Sequence, residues 1–499
     1  MLAPLLLAGV GLASTCTDLS RALGDALSAD RPSCGTHRLE RLRWKHRGDP
    51  CLPTALEAVG LGARSAGPRP PPPEAPPGSK EARNAYLPLR EFSQETENFA
   101  IRWGDPDLEL ERVDTLAARL EEAWALQTDD LGWPLPVGTE RYKLNVYVDE
   151  TNAGPPDTGT YVAGYYNTDP QGQPMLVIGR NQLLLPTLSD TVQHEFHHAV
   201  QGAFGTFEYA DEAAWWFEAD ATWMEHVADS ANTEHAESLG AFARHPELTL
   251  GFYDRIDEGV PLESYAYGAF IFPRFLELAV GDVDVVREVW ERSRPGANPL
   301  KIVDSVMADR GQVPSEWFGE FVVRNATWDY PEQRTYRQAV RDWEDPSGSW
   351  PSGAVGVPSA GRMSPSEALP STFGANYWEV VEPPAAFQVN FSGGGGPGEW
   401  VVAVAGDFSG EQRRTIATTT GAGTATVVAK GFDAADEVWL VVAAVDGFVD
   451  DGAVFDYSFT TGPVDSDASA DAEEPGGCGC DAVRPTRWWS ALWSTLIRR

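Results

Sequence analysis

Apolar positions between residues 91 and 345 change their period along the chain. Short alternating runs come first: 98–103 (NFAIRW), 142–150 (YKLNVYVDE), 160–167 (TYVAGYYN) and 175–181 (MLVIGRN). A two-residue repeat is the spacing of strands with one face turned inward. Between the first two runs, ELERVDTLAARLEEAWALQ (109–127) repeats every three to four residues, the pattern of an amphipathic helix. From Pro186 the helical spacing takes over. Ser189 and Asp190 open a helix through TVQHEFHHAVQGAF (191–204), and a second follows Asp211 with EAAWWFEADATWMEHVAD (212–229). Helical stretches continue to about residue 343. Strands first and helices after predict an α+β fold for 91–345.

Beyond Trp350 the pattern is all-β. Seven short alternating runs with Gly-rich turns fill 350–462, and a β-sandwich is their natural closure. GPRPPPPEAPPG (67–78) carries seven prolines and reads as a semi-rigid spacer after an N-terminal segment, 16–90. GPVDSDASADAEEPG (463–477) reads as an acidic tether to a terminal segment, 478–499. No internal repeat is evident.

Charge narrows the function classes. The chain carries 38 basic and 74 acidic side chains, a net −36, which disfavours nucleic acid and anionic lipid as partners. The charge is uneven: residues 17–90 are net positive and the remainder strongly negative, a pattern that a prosegment could use to dock on its own acidic body and that chance composition in a short segment also produces. Residues 2–13 (LAPLLLAGVGLA) form an apolar stretch followed by small residues, which predicts an export signal over 1–15. Nowhere is there a run of 18 apolar residues, so no ordinary membrane-spanning helix is expected. In an oxidising compartment Cys34 and Cys51, enclosing 16 residues, make a plausible disulfide. Cys478 and Cys480 stand one residue apart in GGCGCD, where mutual pairing would be strained.

The chemistry concentrates in His194-Glu195-Phe196-His197-His198, an H-E-x-x-H sequence inside a predicted helix. Residues at i and i+4 share a helix face, so two imidazoles can grip one tetrahedral zinc ion, and Glu195 lies beside the open position as a general base. Glu218 stands on the next predicted helix, after a loop containing Gly202 and Gly205 that can turn the chain back. Two His and one Glu form a three-ligand set of the catalytic kind. Other readings remain beside this one. His197 could ligate in place of His194, at the cost of the base position. Trp215, Trp216 and Trp223 are simplest as core, and Glu225 could hydrogen-bond a ligand imidazole. The Asp-rich turn DGFVDDG (446–452) could hold Ca²⁺ but lacks the cadence of a dedicated calcium loop.

HEFHH with Glu218 at this spacing resembles the gluzincin metallopeptidases, and WFEADATWME is similar to a form found in secreted HExxH metalloproteases of myxobacteria. The GCGC…RR tail resembles the MYXO-CTERM sorting signal of the same bacteria, which implies that Cys478 and Cys480 serve in surface anchoring and that sorting or processing machinery is a partner. The resemblance implies a zincin-like domain and an exported, surface-associated zinc endopeptidase acting on protein or peptide substrates. Ala219 stands where the family usually has Gly, and Thr222 where thermolysin-like enzymes place an Asp behind the metal ligands. Thr222 and Glu225 are therefore the candidates to support the ligands from behind. Gluzincin aminopeptidases use a tyrosine in a Y-x-x-G turn to stabilise the oxyanion. Tyr265-Ala266-Tyr267-Gly268 has that form, which assigns the role to Tyr265 with Tyr267 as runner-up. The rival reading is a surface adhesion or scaffold protein with a catalytically silent zincin domain, and a zincin acting on a non-peptide amide is a third.

Overall fold

The structure, a computed structural model, describes residues 51, 80–83, 92–149, 163–169, 171–207, 213–253, 263–343, 348–365, 368–395, 398–445 and 453–464. The export signal, the proline spacer, Cys34, the Asp-rich turn 446–452, Cys478 and Cys480 lie outside them. Cys51 is buried and disulfide-bonded.

The architecture is mixed α+β. Five strands, β1 (Phe92–Glu95), β2 (Phe99–Trp103), β3 (Leu144–Asp149), β4 (Gly164–Thr168) and β5 (Pro174–Gly179), form one sheet in the order β1-β2-β3-β5-β4. β2, β3 and β5 run parallel, and the two edge strands run antiparallel to their neighbours. Parallel strands need a crossover, and α1 (Leu110–Trp124) supplies it between β2 and β3. Val113, Leu116 and Leu120 line the helix's buried face at the predicted spacing. The helix then loosens into a π-helical stretch, Ala125–Asp130, which carries Gln127 into the interior. Ahead of the sheet, Lys80–Arg83 lie against the body. Glu81 pairs with Tyr142, Lys80 Nζ sits 3.8 Å over the Trp124 ring, and Arg83 reaches Asp169, just past β4, at 2.6 Å.

Ten helices among the described residues follow the crossover order: after α1 come α2 (Leu188–Phe204), α3 (Ala214–Ala228), α4 (Leu239–Arg244), α5 (Glu263–Gly268), α6 (Ile271–Val280), α7 (Asp284–Glu291), α8 (Pro299–Ala308), α9 (Pro314–Thr327) and α10 (Gln333–Asp342). α2 ends at Gly205, whose φ of 58° is the left-handed conformation that stops a helix most cheaply in glycine. α3 is buried almost all round, with Trp215, Trp216 and Trp223 in the core as their spacing suggested.

The C-terminal strands make two sheets. β6 (Gly353–Gly356), β7 (Gly374–Val381), β9 (Glu399–Phe408), β10 (Glu411–Thr420) and β12 (Glu437–Val445) form one, in the order β10-β9-β12-β7-β6. β8 (Ala386–Gly393), β11 (Thr424–Lys430) and β13 (Tyr457–Gly462) form the other. Side chains alternate between two environments along β9 and β12. Trp400, Val402, Val404, Leu440 and Val442 face the three-stranded sheet, while Val401, Ala403, Ala405, Val441 and Ala443 face the helices. The small residues on the second face let α9 lie close: a Cβ at Gly319 would sit 3.1 Å from Val401. Tyr377 donates to the Val322 carbonyl at 2.9 Å, and Arg337 bridges Asp407 and Glu437 at 2.9 and 2.6 Å. One apolar core therefore runs from Phe99 to Val445, across the boundary at 345–350 that the sequence pattern suggested.

Candidate metal centre

Helices α2 and α3 pack against each other, and the face between them holds the three polar side chains singled out above. His194 and His198, one turn apart on α2, turn Nε2 toward the same oxygen of Glu218 on α3, at 3.3 and 3.5 Å. One ligand atom from each residue can be chosen so that all lie within 4.8 Å of one another. Ligands at zinc distances of ~2.0–2.1 Å in a tetrahedron are separated by about 3.3–3.4 Å, so the two short distances fit tetrahedral edges. All three side chains are buried, and Glu218 is wholly inaccessible.

The outer nitrogens decide what the centre can hold. Gln201 donates its amide to the Phe217 carbonyl at 3.0 Å and to Asp220 Oδ2 at 3.1 Å. Its Oε1, 2.8 Å from His198 Nδ1, is therefore an acceptor, and His198 carries a proton on Nδ1. His194 Nδ1 likewise donates to Glu225 Oε1 at 2.7 Å. With both Nδ1 protons committed outward, two Nε2 atoms and a carboxylate oxygen converge on one point. Three acceptors this close in a buried setting call for positive charge, either protons on the rings or a cation between them. Burial alone would raise the Glu218 carboxyl, but His198 and His194 together hold it well below the usual carboxylate range. Burial pushes Glu225 up, with Glu195 and Glu234 adding to the rise and His194 opposing it.

Support from behind comes from one of the two anticipated residues. Glu225 contacts His194, whereas Thr222 does not do what the Asp of thermolysin-like enzymes was expected to do from that position. Its buried Oγ1 makes no hydrogen bond among the described residues. The carboxylate simply stands one turn further along α3. His197 turns away from the triad, with its two ring nitrogens 2.9 Å from Gln127 Oε1 and 2.9 Å from Asp220 Oδ2. His226 pairs with His235 and is not part of the centre.

Glu195 is almost completely buried, under the first residue of edge strand β4. A Cβ at Gly164 would lie 3.0 Å from Glu195 Cγ and 3.1 Å from both Thr191 Cγ2 and the Val177 carbonyl. The absence of a side chain there is what lets strand and helix close over the carboxylate. Beside it on β4, Tyr166 lies 6.5 Å from the His198 ring, centroid to centroid.

The tyrosine assignment changes. Tyr265 is buried between Phe242 and Phe252, and its hydroxyl donates to the Thr249 carbonyl at 3.2 Å. Tyr267 is the residue at the centre, its ring stacked on His194 at 5.8 Å and 23°. Residues two apart on a helix point to roughly opposite sides, so only one of the pair could reach the triad. Gly164, Gln201 and Asp220 are the participants that the sequence reading missed. Only Gln201, one turn after His198 on the same helix, had a periodicity signal that could have found it.

No curated protein matches the chain. A family match runs from residue 90 to residue 416, taking in the mixed sheet, all ten helices and the C-terminal sheets as far as β10. The chain belongs to DUF6055, a family of unknown function.

Proposed function

We propose that this chain is an exported, zinc-dependent metallopeptidase with a zincin-like catalytic unit. The observation that carries the reading is the approach of His194 Nε2 and His198 Nε2 to one Glu218 oxygen, at 3.3 and 3.5 Å, with both outer ring nitrogens already committed to acceptors. Two further features support it: Glu195 follows the first candidate ligand directly, and an edge strand runs beside the HExxH helix.

A zinc ion would be held by His194, His198 and Glu218, and would supply a Lewis acid for a carbonyl and for lowering the pKa of a water toward ~7. The rest is the work of the chain's own groups. Glu195 takes the proton from the attacking water and passes it to the departing amine, so that it ends the cycle ionised as it began. Its burial under β4 keeps bulk water from competing for that proton. Glu225 and Gln201 hold the two imidazoles in the tautomer that leaves Nε2 unprotonated. Tyr267 takes the oxyanion-donor role anticipated for Tyr265. β4 has no strand on its outer side among the described residues and is the surface on which an extended peptide would add.

Metal analysis and a protease assay on purified protein test the reading together. We expect one zinc per chain, cleavage of an unfolded protein substrate that a chelator abolishes, and a Glu195→Gln variant that keeps zinc but loses turnover. Glu195→Gln protein of near-wild-type activity, or wild type without zinc, overturns it.

A further inference from the structure

Behind the three candidate ligands lies a polar cluster that the proposed reaction does not use. Asp220, two residues past Glu218 on α3, is fully buried. Its Oδ2 is the meeting point of three donors: His197 Nε2 at 2.9 Å, Gln201 Nε2 at 3.1 Å and the Trp290 indole, reaching in from α7, at 2.6 Å. Its Oδ1 makes no hydrogen bond among the described residues. His197 is held from its far side by Gln127 Oε1, and Gln127 in turn donates to the carbonyl and side-chain oxygens of Gln193 at 3.0 and 2.9 Å. A buried carboxylate with one bare oxygen is a poor source of stability, since apolar side chains of like volume commonly serve as well or better.

We propose that Asp220 is a positioning residue for His198, acting through Gln201, and that Trp290 and His197 exist in this cluster to fix Asp220. The proposal rests on the metal-centre reading above. Its physical content is the polarity of one amide. Gln201 contacts His198 through Oε1 only because Nε2 has two acceptors on its other side, Asp220 Oδ2 and the Phe217 carbonyl. Removing the carboxylate takes away one of the two and frees the amide to invert. An inverted amide presents a donor to His198 Nδ1, which drives the ring proton to Nε2, the atom that must be bare to bind metal. Asp220 thus sets the tautomer of a ligand it never touches.

The test is zinc affinity of the full chain by chelator competition, with absorption spectra of the Co²⁺-substituted protein. Gln201→Met and Asp220→Leu should each weaken zinc binding by roughly 10–100-fold and alter the Co²⁺ bands. Because Asp220 acts through Gln201, the double variant should be no weaker than Gln201→Met by more than about threefold. If Asp220→Leu does not fold, Trp290→Phe replaces it: affinity should fall in the wild-type background and stay unchanged in the Gln201→Met background. Single variants that bind zinc within about threefold of wild type with unaltered spectra, or losses that multiply in the double variant, overturn the proposal while leaving the metal centre intact. Wild type that takes up no zinc, or Glu218→Ala that binds it as tightly as wild type, overturns the metal centre itself.

Discussion

A single methyl group at position 164 would meet the Glu195 side chain at 3.0 Å and two further atoms at 3.1 Å. Gly164→Ala should therefore push Glu195, the proposed general base, out of place without touching a candidate ligand. Contacts this close ask the neighbour to give by a few tenths of an ångström, so we expect kcat to fall by up to roughly tenfold with zinc content unchanged. Activity equal to wild type would show that Glu195 is not held by the strand. The two tyrosines separate just as cleanly. Tyr267→Phe should lower kcat by roughly 10–1000-fold with zinc content little changed, the pattern of a donor used in the transition state. Tyr265→Phe should cost about 1 kcal/mol of stability through its lost hydrogen bond to Thr249 and leave turnover alone. Kinetics and urea unfolding on the pair would reverse the assignment if the effects were exchanged. The histidine pair of the candidate set was legible at this scale because i, i+4 spacing within one helix is a local property, and Glu218 because the return loop and the second helix were also marked in the sequence. Gly164 and Asp220 were not, because Gly164 meets Glu195 and Asp220 bonds Gln201 only through a fold the sequence does not display.

Between elements, α3 meets the short turn Glu234–Ala236 through a buried histidine pair, His226 Nδ1 and His235 Nε2, 3.3 Å apart. Arg274 faces both rings, and Glu332 lies 3.9 Å from His226 Nε2. Burial, with Arg274 adding, pushes the His226 pKa down to about 3; burial with His226 and Arg274 does the same to His235, against Glu332 and Asp229. Both rings are neutral in native and unfolded chains above pH ~6.5, so they contribute no pH dependence there. Below it the unfolded chain takes up protons that the native state refuses until about pH 3, so stability is lost across that window. Asp190 works in the opposite sense. Burial and its acidic neighbours Glu225, Glu234 and Asp229 raise it to about 7, against a hydrogen bond from Asn232, so falling pH stabilises the native state through this group. Comparing wild type with His226→Gln cancels the carboxylate. The difference in unfolding free energy should be flat above pH 6.5 and should move toward the variant by up to about 1.4 kcal/mol per pH unit below it. A flat difference from pH 7 to 4 would mean that the ring is not held neutral. Element type was well marked in the sequence for α2, α3 and most strands, where a period persisted long enough to read. The four-residue strands β1 and β6 were missed because two alternations make no pattern.

At the scale of the whole molecule, the continuous apolar runs of β9 and β12 were read as strands of a sandwich with one face inward. They are buried on both faces, by the three-stranded sheet on one side and by α9 on the other. Runs without polar alternation are the usual mark of a sheet covered twice, and that mark was present in EWVVAVAG and EVWLVVAAV. Thermal unfolding should consequently show one transition, with tryptophan fluorescence and far-ultraviolet dichroism coinciding; two separated transitions would mean that the shared core does not couple the halves. The arrangement also bears on how such a protein can change over generations. A sandwich that closes on itself can be traded between genes as a finished part. Here the cut would strip α9 from Val401, Ala403, Ala405, Val441 and Ala443, leaving two greasy, sticky pieces. Recombination at the seam is therefore penalised, and the helical half and the five-stranded sheet are bound to descend together.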